Sequence, residues 1–328
     1  MVRIYEEDLM NKVAYKKRGK RKIGKTLFIY LGLAWPILHF TVFWFCMNIG
    51  MVYNSFFSEN INGKLVFDGL AHYKDVFSYM FGIKKYAMLS STSWLNTLSI
   101  MGLALFINLP LTLIFSYMIY KKIFLHQVLR VGMYVPCVLS VVILCLFYKI
   151  SVSGTQTYKS LLTILEKLGY KNQSVIKNGA LADSSTAWKT ILIFSVWTGV
   201  NGNIIYFNSA MARLPDSVLE SAELDGASET RQFFSIVIPM VWPTITTMSI
   251  TLISGALGWY IPSLLLVGES MAGATGTGTV AWMIISNVNA GNATGYPAAL
   301  GVVIAVFGGT FVLLFKKVME RIYPEVEY

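Results

Sequence analysis

The amino-acid sequence predicts an all-α integral membrane protein with six transmembrane helices and one structured loop on its inner side. Of the 328 residues, 55% are apolar and only 13% are charged, and the mean hydropathy is +0.57. A water-soluble domain carries about a quarter charged residues, so this chain has too few to cover a water-facing surface. The apolar residues gather in six long uncharged runs, and the basic residues crowd outside them. Nine of the 27 Lys and Arg lie between Arg3 and Lys25. That block is a tail joined to an apolar run rather than a basic folded face, so it orients a membrane protein and argues against a nucleic-acid surface.

A helix crossing the bilayer core needs about 20 apolar residues, and inside lipid only a helix or a closed barrel satisfies its own backbone. The runs are Thr26 to Tyr53, Trp94 to Tyr120, Val131 to Tyr148, Thr190 to Ala212, Trp242 to Val267 and Pro297 to Phe315. The first is far too long for the apolar core of a secretory signal and is expected to stay as a helix. The organisation expected is a basic tail at 1–25, a six-helix domain at 26–316 and a short tail at 317–328. The three cysteines, Cys46, Cys137 and Cys145, sit inside apolar runs without metal-ligand spacing and read as buried thiols.

Basic residues precede the first span, link the second and third (Lys121, Lys122, Arg130) and follow the sixth (Lys316, Lys317, Arg321). Both termini are therefore expected in the cytoplasm. Loops at about 54–93, 150–188 and 268–296 then face outward. Two carry helical spacing, Leu70, Tyr73, Phe77 and Met80 in one and Tyr158, Leu161, Leu165 and Leu168 in the other. The glycine run Gly273, Gly276 and Gly278 reads as a flexible outer loop.

The inner loop at 213–241 departs from the basic rule, with Asp216, Glu220, Glu223, Asp225 and Glu229 against Arg213 and Arg231. Pro215 suits a first helical turn, Ser217 and Glu220 have capping-box spacing, and Gly226 is a natural helix stop. A second helical run carrying Phe233, Phe234 and Val237 is expected to end at Pro239. The reading is a helix, a glycine bend and another helix, with carboxylates projecting into the cytoplasm.

The run LPDSVLESAELDGASETRQFFSIVIP, Leu214 to Pro239, resembles the EAA loop of importer-type ABC permeases. Glu220, Ala222, Gly226 and Pro239 occupy the pattern's positions, and Asp225, Gly226 and Ala227 reproduce the DGA of its carbohydrate branch. Ser221 stands where that pattern has its first Ala. FDGLAHYKDVFS (Phe67 to Ser78) and the triplet Asn96, Thr97, Leu98 are also similar to the larger, maltose-type permease subunits. The resemblance implies a type I importer fold in a bacterial plasma membrane. It implies a second, smaller permease subunit, a cytoplasmic ATPase dimer that holds ATP and Mg, and an extracellular solute-binding protein. No cofactor is implied in this chain. Glu220 would meet a basic group of the ATPase, and Gly226 would set the angle between the two short helices.

The six runs contain no Asp, Glu, Lys or Arg, and His39 is their one imidazole. Ion-coupled carriers keep ionisable groups at mid-membrane to bind the driving ion, so an ion-coupled secondary carrier is the remoter reading. Gly19, Gly24, Lys25 and Thr26 match the phosphate-loop pattern GxxxxGKT, but no buried strand precedes them and a membrane span follows. An enzyme reading finds no carboxylate pair, metal cluster or Ser/His/Asp set.

An uncharged path suits a neutral, hydroxyl-rich solute such as an oligosaccharide, with glycerol phosphate, an osmolyte or a peptide as alternatives. Gly199, Gly202, Asn203 and Tyr206 share one face of the fourth span, and Gly255 and Trp259 share one on the fifth. These six are candidates for the substrate path. The same small residues would equally serve close helix packing.

Overall fold

The computed structural model describes residues 2–60, 63–81, 87–123, 125–152, 179–291 and 294–323. The helix expected around Tyr158 to Leu168 lies outside them. The chain divides into two units, 1–54 and 55–328. The first is a single helix, α1 (Val2–Asn54), whose stretch Thr26–Asn54 is long and apolar enough to cross a bilayer. The helix runs back through the basic stretch to Val2. The phosphate-loop letters at 19–26 are helical, without the strand and loop that cradle a phosphate. Cys46, expected to be buried, is exposed on this helix.

The second unit opens with a hairpin that the sequence reading did not anticipate, β1 (Phe57–Glu59) against β2 (Leu65–Phe67), with Phe57 opposite Phe67. The expected outer helix follows as α2 (Ala71–Met80), burying Val76. The second span runs through α3 (Ala87–Leu103), a wide π turn (Ala104–Asn108) and α4 (Leu109–Tyr120). Pro110 has no amide for the carbonyl four residues back, and the wide turn just before it takes up that mismatch.

The third span, expected unbroken from Val131 to Tyr148, is α5 (His126–Val138) and α6 (Val141–Val152), bent by 108°. Leu139 is extended, and the Ser140 hydroxyl accepts the Val142 amide at 3.3 Å, so a new helix is capped where the apolar run continues. The fourth is α7 (Ala187–Met211), as expected. The inner loop then forms α8 (Asp216–Leu224), α9 (Glu229–Gln232), a second π turn (Phe233–Val237) and α10 (Ile238–Met240).

The fifth span, expected from Trp242 to Val267, is also broken. α11 (Trp242–Leu257) stops at Gly258, and α12 (Ile261–Val267) restarts with Pro262 in its first turn. Two short helices follow, α13 (Glu269–Ala274) and α14 (Val280–Asn289). α15 (Tyr296–Ile322) outruns the expected Pro297 to Phe315, because the helix continues past the apolar residues into Lys316 and Glu320, paired at 3.4 Å. Among the described residues four helices are thus long enough to cross a bilayer, and up to six spans result if each of two bent pairs counts as one: α5 with α6, and residues 229–240 with α11.

A polar seam joins the second and fourth spans. Asn108, Thr112 and Ser116, four residues apart and buried, donate to the carbonyls of Ser195 (3.2 Å), Val200 (3.2 Å) and Ile204 (3.4 Å). Where lipid offers no hydrophobic drive between helices, such bonds and close approach hold them together. Gly199 supplies the approach, because a β-carbon there would collide with the Asn108 amide.

At the end of the second span away from the 213–241 loop, Asn96 donates to the carbonyls of Gly276 (2.8 Å) and Gly278 (2.9 Å), and the Thr97 hydroxyl accepts the Val280 amide at 3.0 Å. Ser263 donates to the Thr277 carbonyl at 3.0 Å, and Thr279 to that of Trp259 at 2.5 Å. Thr275, Thr277 and Thr279 are all buried. The glycine run expected to be flexible is therefore a fixed clamp, anchored by its buried threonines. Its glycines admit close neighbours, as at Gly278, where a β-carbon would strike the Trp282 ring.

Gly199→Val is expected to force the second and fourth spans apart and to destabilise the protein by about 1–3 kcal/mol. Thermal unfolding of the detergent-solubilised chain checks it, and an unchanged midpoint would show that the seam does not need this glycine.

Candidate functional site

The inner loop is built as a projecting helix on a fixed base. α8 begins at Asp216, whose carboxylate complements the positive helix end, with Pro215 extended just ahead of it. The capping box expected at Ser217 and Glu220 does not form. Ser217 already lies inside the first turn, and its carbonyl accepts the Ser221 hydroxyl at 2.7 Å. The side-chain cap lies one helix later, where the Ser228 hydroxyl accepts the Arg231 amide at 3.4 Å at the start of α9.

Gly226 ends α8 as expected. It adopts φ +75°, its amide bonds to the Glu223 carbonyl at 3.0 Å, and the Ala227 amide reaches the Ala222 carbonyl at 2.9 Å. This pair of bonds is a Schellman closure, which places a left-handed residue just past the helix. Asp225 is the C-cap and Ala227 the first residue beyond the bend. The second run ends at Met240, one residue past the expected Pro239. As at Pro110, a π turn lies immediately upstream, and the helical path continues to Met240 before bending by 73° into α11.

α8 has two faces. Leu219 is buried and Ala222 half-buried, while Glu220, Ser221, Glu223 and Asp225 are exposed. Leu224 stands at the tip with 89% of its surface bare. The sequence reading recorded the carboxylates and passed over this leucine. Periodicity could have raised it, since Leu224 lies off the face that holds Leu219.

The base is apolar. Leu219, Phe233 and Val237 join Leu113, Tyr117, Phe207, Met211, Ile245 and Met319 in one buried cluster, so three loop residues seat against the second, fourth, fifth and sixth spans. A polar set lies beside it. Tyr117 donates its hydroxyl to Glu229 Oε2 at 2.5 Å, and Lys121 Nζ lies 3.2 Å from Glu229 Oε1. Lys121 also donates to Gln232 Oε1 at 2.9 Å, and Gln232 Nε2 donates to the Ala227 carbonyl at 2.9 Å. The Tyr117 hydrogen bond and the Lys121 ammonium outweigh partial burial and hold the Glu229 carboxyl below its usual range. Sequence reasoning placed Lys121 only as an orienting charge and missed Tyr117 and Gln232, because their partners lie about 110 residues away.

The path candidates divide. Gly199 faces Asn108 in the polar seam. Gly202 and Gly255 have open space where a side chain would stand, and Tyr206 is 55% exposed. Asn203 is half-buried and donates to the Gly199 carbonyl at 3.2 Å. Trp259 lies beyond the end of α11, in the break, and its half-buried ring meets Trp188 edge-on at 6.3 Å. It therefore does not continue the α11 face that carries Gly255.

The chain resembles known proteins over most of its length. The arabinooligosaccharides transport system permease protein AraP of Bacillus subtilis (strain 168) is 24% identical over 297 residues, 89% of each chain. A probable ABC transporter permease protein, the MG188 homolog of Mycoplasma pneumoniae, is 26% identical over 258 residues, 76% of each chain. The fold matches a chain of a bacterial alginate ABC transporter solved with its pentasaccharide-bound periplasmic protein. There the TM-score is 0.74 at 18% identity, covering 94% of this chain and 99% of that one. The fold is thus that of an ABC importer permease. A family model described as the binding-protein-dependent transport system inner membrane component matches residues 121–323, more than half of the sequence, and the protein belongs to that family.

Proposed function

We propose that this chain is the non-catalytic membrane subunit of an ATP-driven importer, passing a carbohydrate delivered by an extracellular solute-binding protein. The observation that carries the reading is α8. It presents exposed Glu220, Glu223 and Asp225 and a bare Leu224 on a helix whose other face is buried in the membrane domain. An apolar tip ringed by carboxylates suits a cleft with an apolar floor and basic walls on a cytoplasmic ATPase dimer, where ATP and Mg would be held. In this reading Glu220, Ser221, Ala222, Asp225, Gly226, Ala227 and Pro239 form the coupling segment, and both termini are cytoplasmic.

A neutral oligosaccharide suits the spans, because no carboxylate or cation from the six uncharged runs is available to bind a driving ion or to pair with a charged solute. The name of the Bacillus relative supports the same class. Gly202, Tyr206 and Gly255 present open, small or aromatic surface, which is what a smaller second permease subunit or a sugar between the two subunits would cover. Trp259 and Asn203 would add an aromatic face and an amide near that route.

Glu220→Lys is expected to lower ATPase co-purification and ATP-driven uptake at least about tenfold while membrane insertion persists. Unchanged uptake in vesicles would remove Glu220 from the contact. Trp259→Ala is expected to reduce oligosaccharide uptake by about tenfold through lost ring contact, with ATPase co-purification retained. Uptake at the wild-type rate would take Trp259 off the path.

A further inference from the structure

The inner loop is held to the spans in two ways on either side of the Gly226 bend, α8 by apolar packing at Leu219 and the part from Glu229 onward by a polar set on the second span. α8 is joined to α9 by Asp225, Gly226, Ala227 and Ser228, with the left-handed turn at Gly226. From Glu229 onward the loop is tied to the end of α4. The Tyr117 hydroxyl reaches both the Glu229 carboxylate and, at 3.3 Å, its carbonyl, and Lys121 bridges Glu229 and Gln232. The Tyr117 ring lies 4.9 Å from that of Phe233, centroid to centroid. Gln232, only 1% exposed, spends its amide on Ala227, so the same set also fixes the far side of the bend.

We infer that Tyr117, Lys121, Glu229 and Gln232 form a latch that makes the second span move as one body with α9 when α8 is displaced. This rests on the proposed function, in which α8 is the segment displaced. Covalent continuity already carries motion into α11 through the helical path 229–240. Nothing covalent carries it directly to the second span, and the latch supplies that route. The bonds are short and charge-assisted; the Lys121 side chain is mostly buried while that of Glu229 is half exposed, so the buried Gln232 and the Tyr117 hydroxyl give the set its water-shielded side. The polar seam of Asn108, Thr112 and Ser116 then hands the displacement on to the fourth span. These four are positioning residues, since none stands on the exposed face of α8.

The test uses the complete transporter, purified with its ATPase subunits through a tag on this chain, with Cys46, Cys137 and Cys145 replaced by Ala. Nitroxides are placed at Lys122→Cys and Thr230→Cys, both exposed positions that flank the latch. The distance between them is measured by pulsed electron resonance without nucleotide and after trapping with ATP and vanadate. With the latch intact, the distance is expected to stay within about 2 Å, the scale of a rigid helix shift. In Lys121→Ala with Glu229→Ala it is expected to move or broaden on trapping, with ATPase co-purification retained. The charge swap Lys121→Glu with Glu229→Lys is expected to restore the invariant distance and so to exclude simple misfolding.

A distance that changes on trapping in the intact protein would overturn the inference. So would an invariant distance in the double alanine variant, because apolar packing alone would then hold the two elements. Loss of ATPase co-purification in that variant would also overturn it, by assigning these residues to docking. Failure of the unsubstituted chain to bring down any ATPase would instead strike the proposed function beneath it.

Discussion

The rest of the molecule's working parts depend on the burial of Leu219, Phe233 and Val237 against the adjoining ends of four spans. Each such side chain removed from water contributes about 1.5–3 kcal/mol. Without that seat, a loop with five carboxylates would be a solvated connector, and its direction relative to the bilayer would be undefined. With it, the carboxylates of α8 are held in one orientation, and a displacement of the helix must be passed to the packed spans rather than absorbed locally.

The spans themselves are joined by means that tolerate lipid. Gly199 against Asn108, and Gly308 against Leu257, are close approaches that a β-carbon would block. The seam of Asn108, Thr112 and Ser116 spends its hydroxyls and amide on backbone carbonyls rather than on a solute. Small and polar residues inside a span thus serve two ends, and position decides between them. Gly199 belongs to packing, while Gly202 and Gly255 face open space. At the far end of the second span, Asn96 and Thr97 fix the clamp of buried threonines, which gives the Asn-Thr pair opening that span a structural duty.

What could be read from the sequence follows the range of each signal. Composition and apolar length placed the second and fourth spans closely, because helix formation in lipid is dictated by the solvent. Gly226 was legible because a left-handed helix stop has one favoured residue. The breaks at Ser140 and Gly258 were not, since an apolar run looks the same whether its helix is continuous or bent. Pro239 marked the end of the second run to within a residue, although the π turn that absorbs the missing bond there, as at Pro110, was not legible. The network of Tyr117, Lys121, Glu229 and Gln232 was invisible because each residue alone reads as an ordinary interfacial aromatic, an orienting cation or a solvated acid.

The central claim is that α8 lies on the cytoplasmic side and is covered there by an ATPase. The most direct measurement is labelling of Glu220→Cys, in a chain lacking its native cysteines, by a membrane-impermeant maleimide. The account predicts reaction in inside-out vesicles stripped of peripheral subunits, protection when the ATPase subunits are added back, and no reaction in right-side-out vesicles. Labelling from the outside, or labelling from the inside that the ATPase subunits leave undiminished, would contradict it.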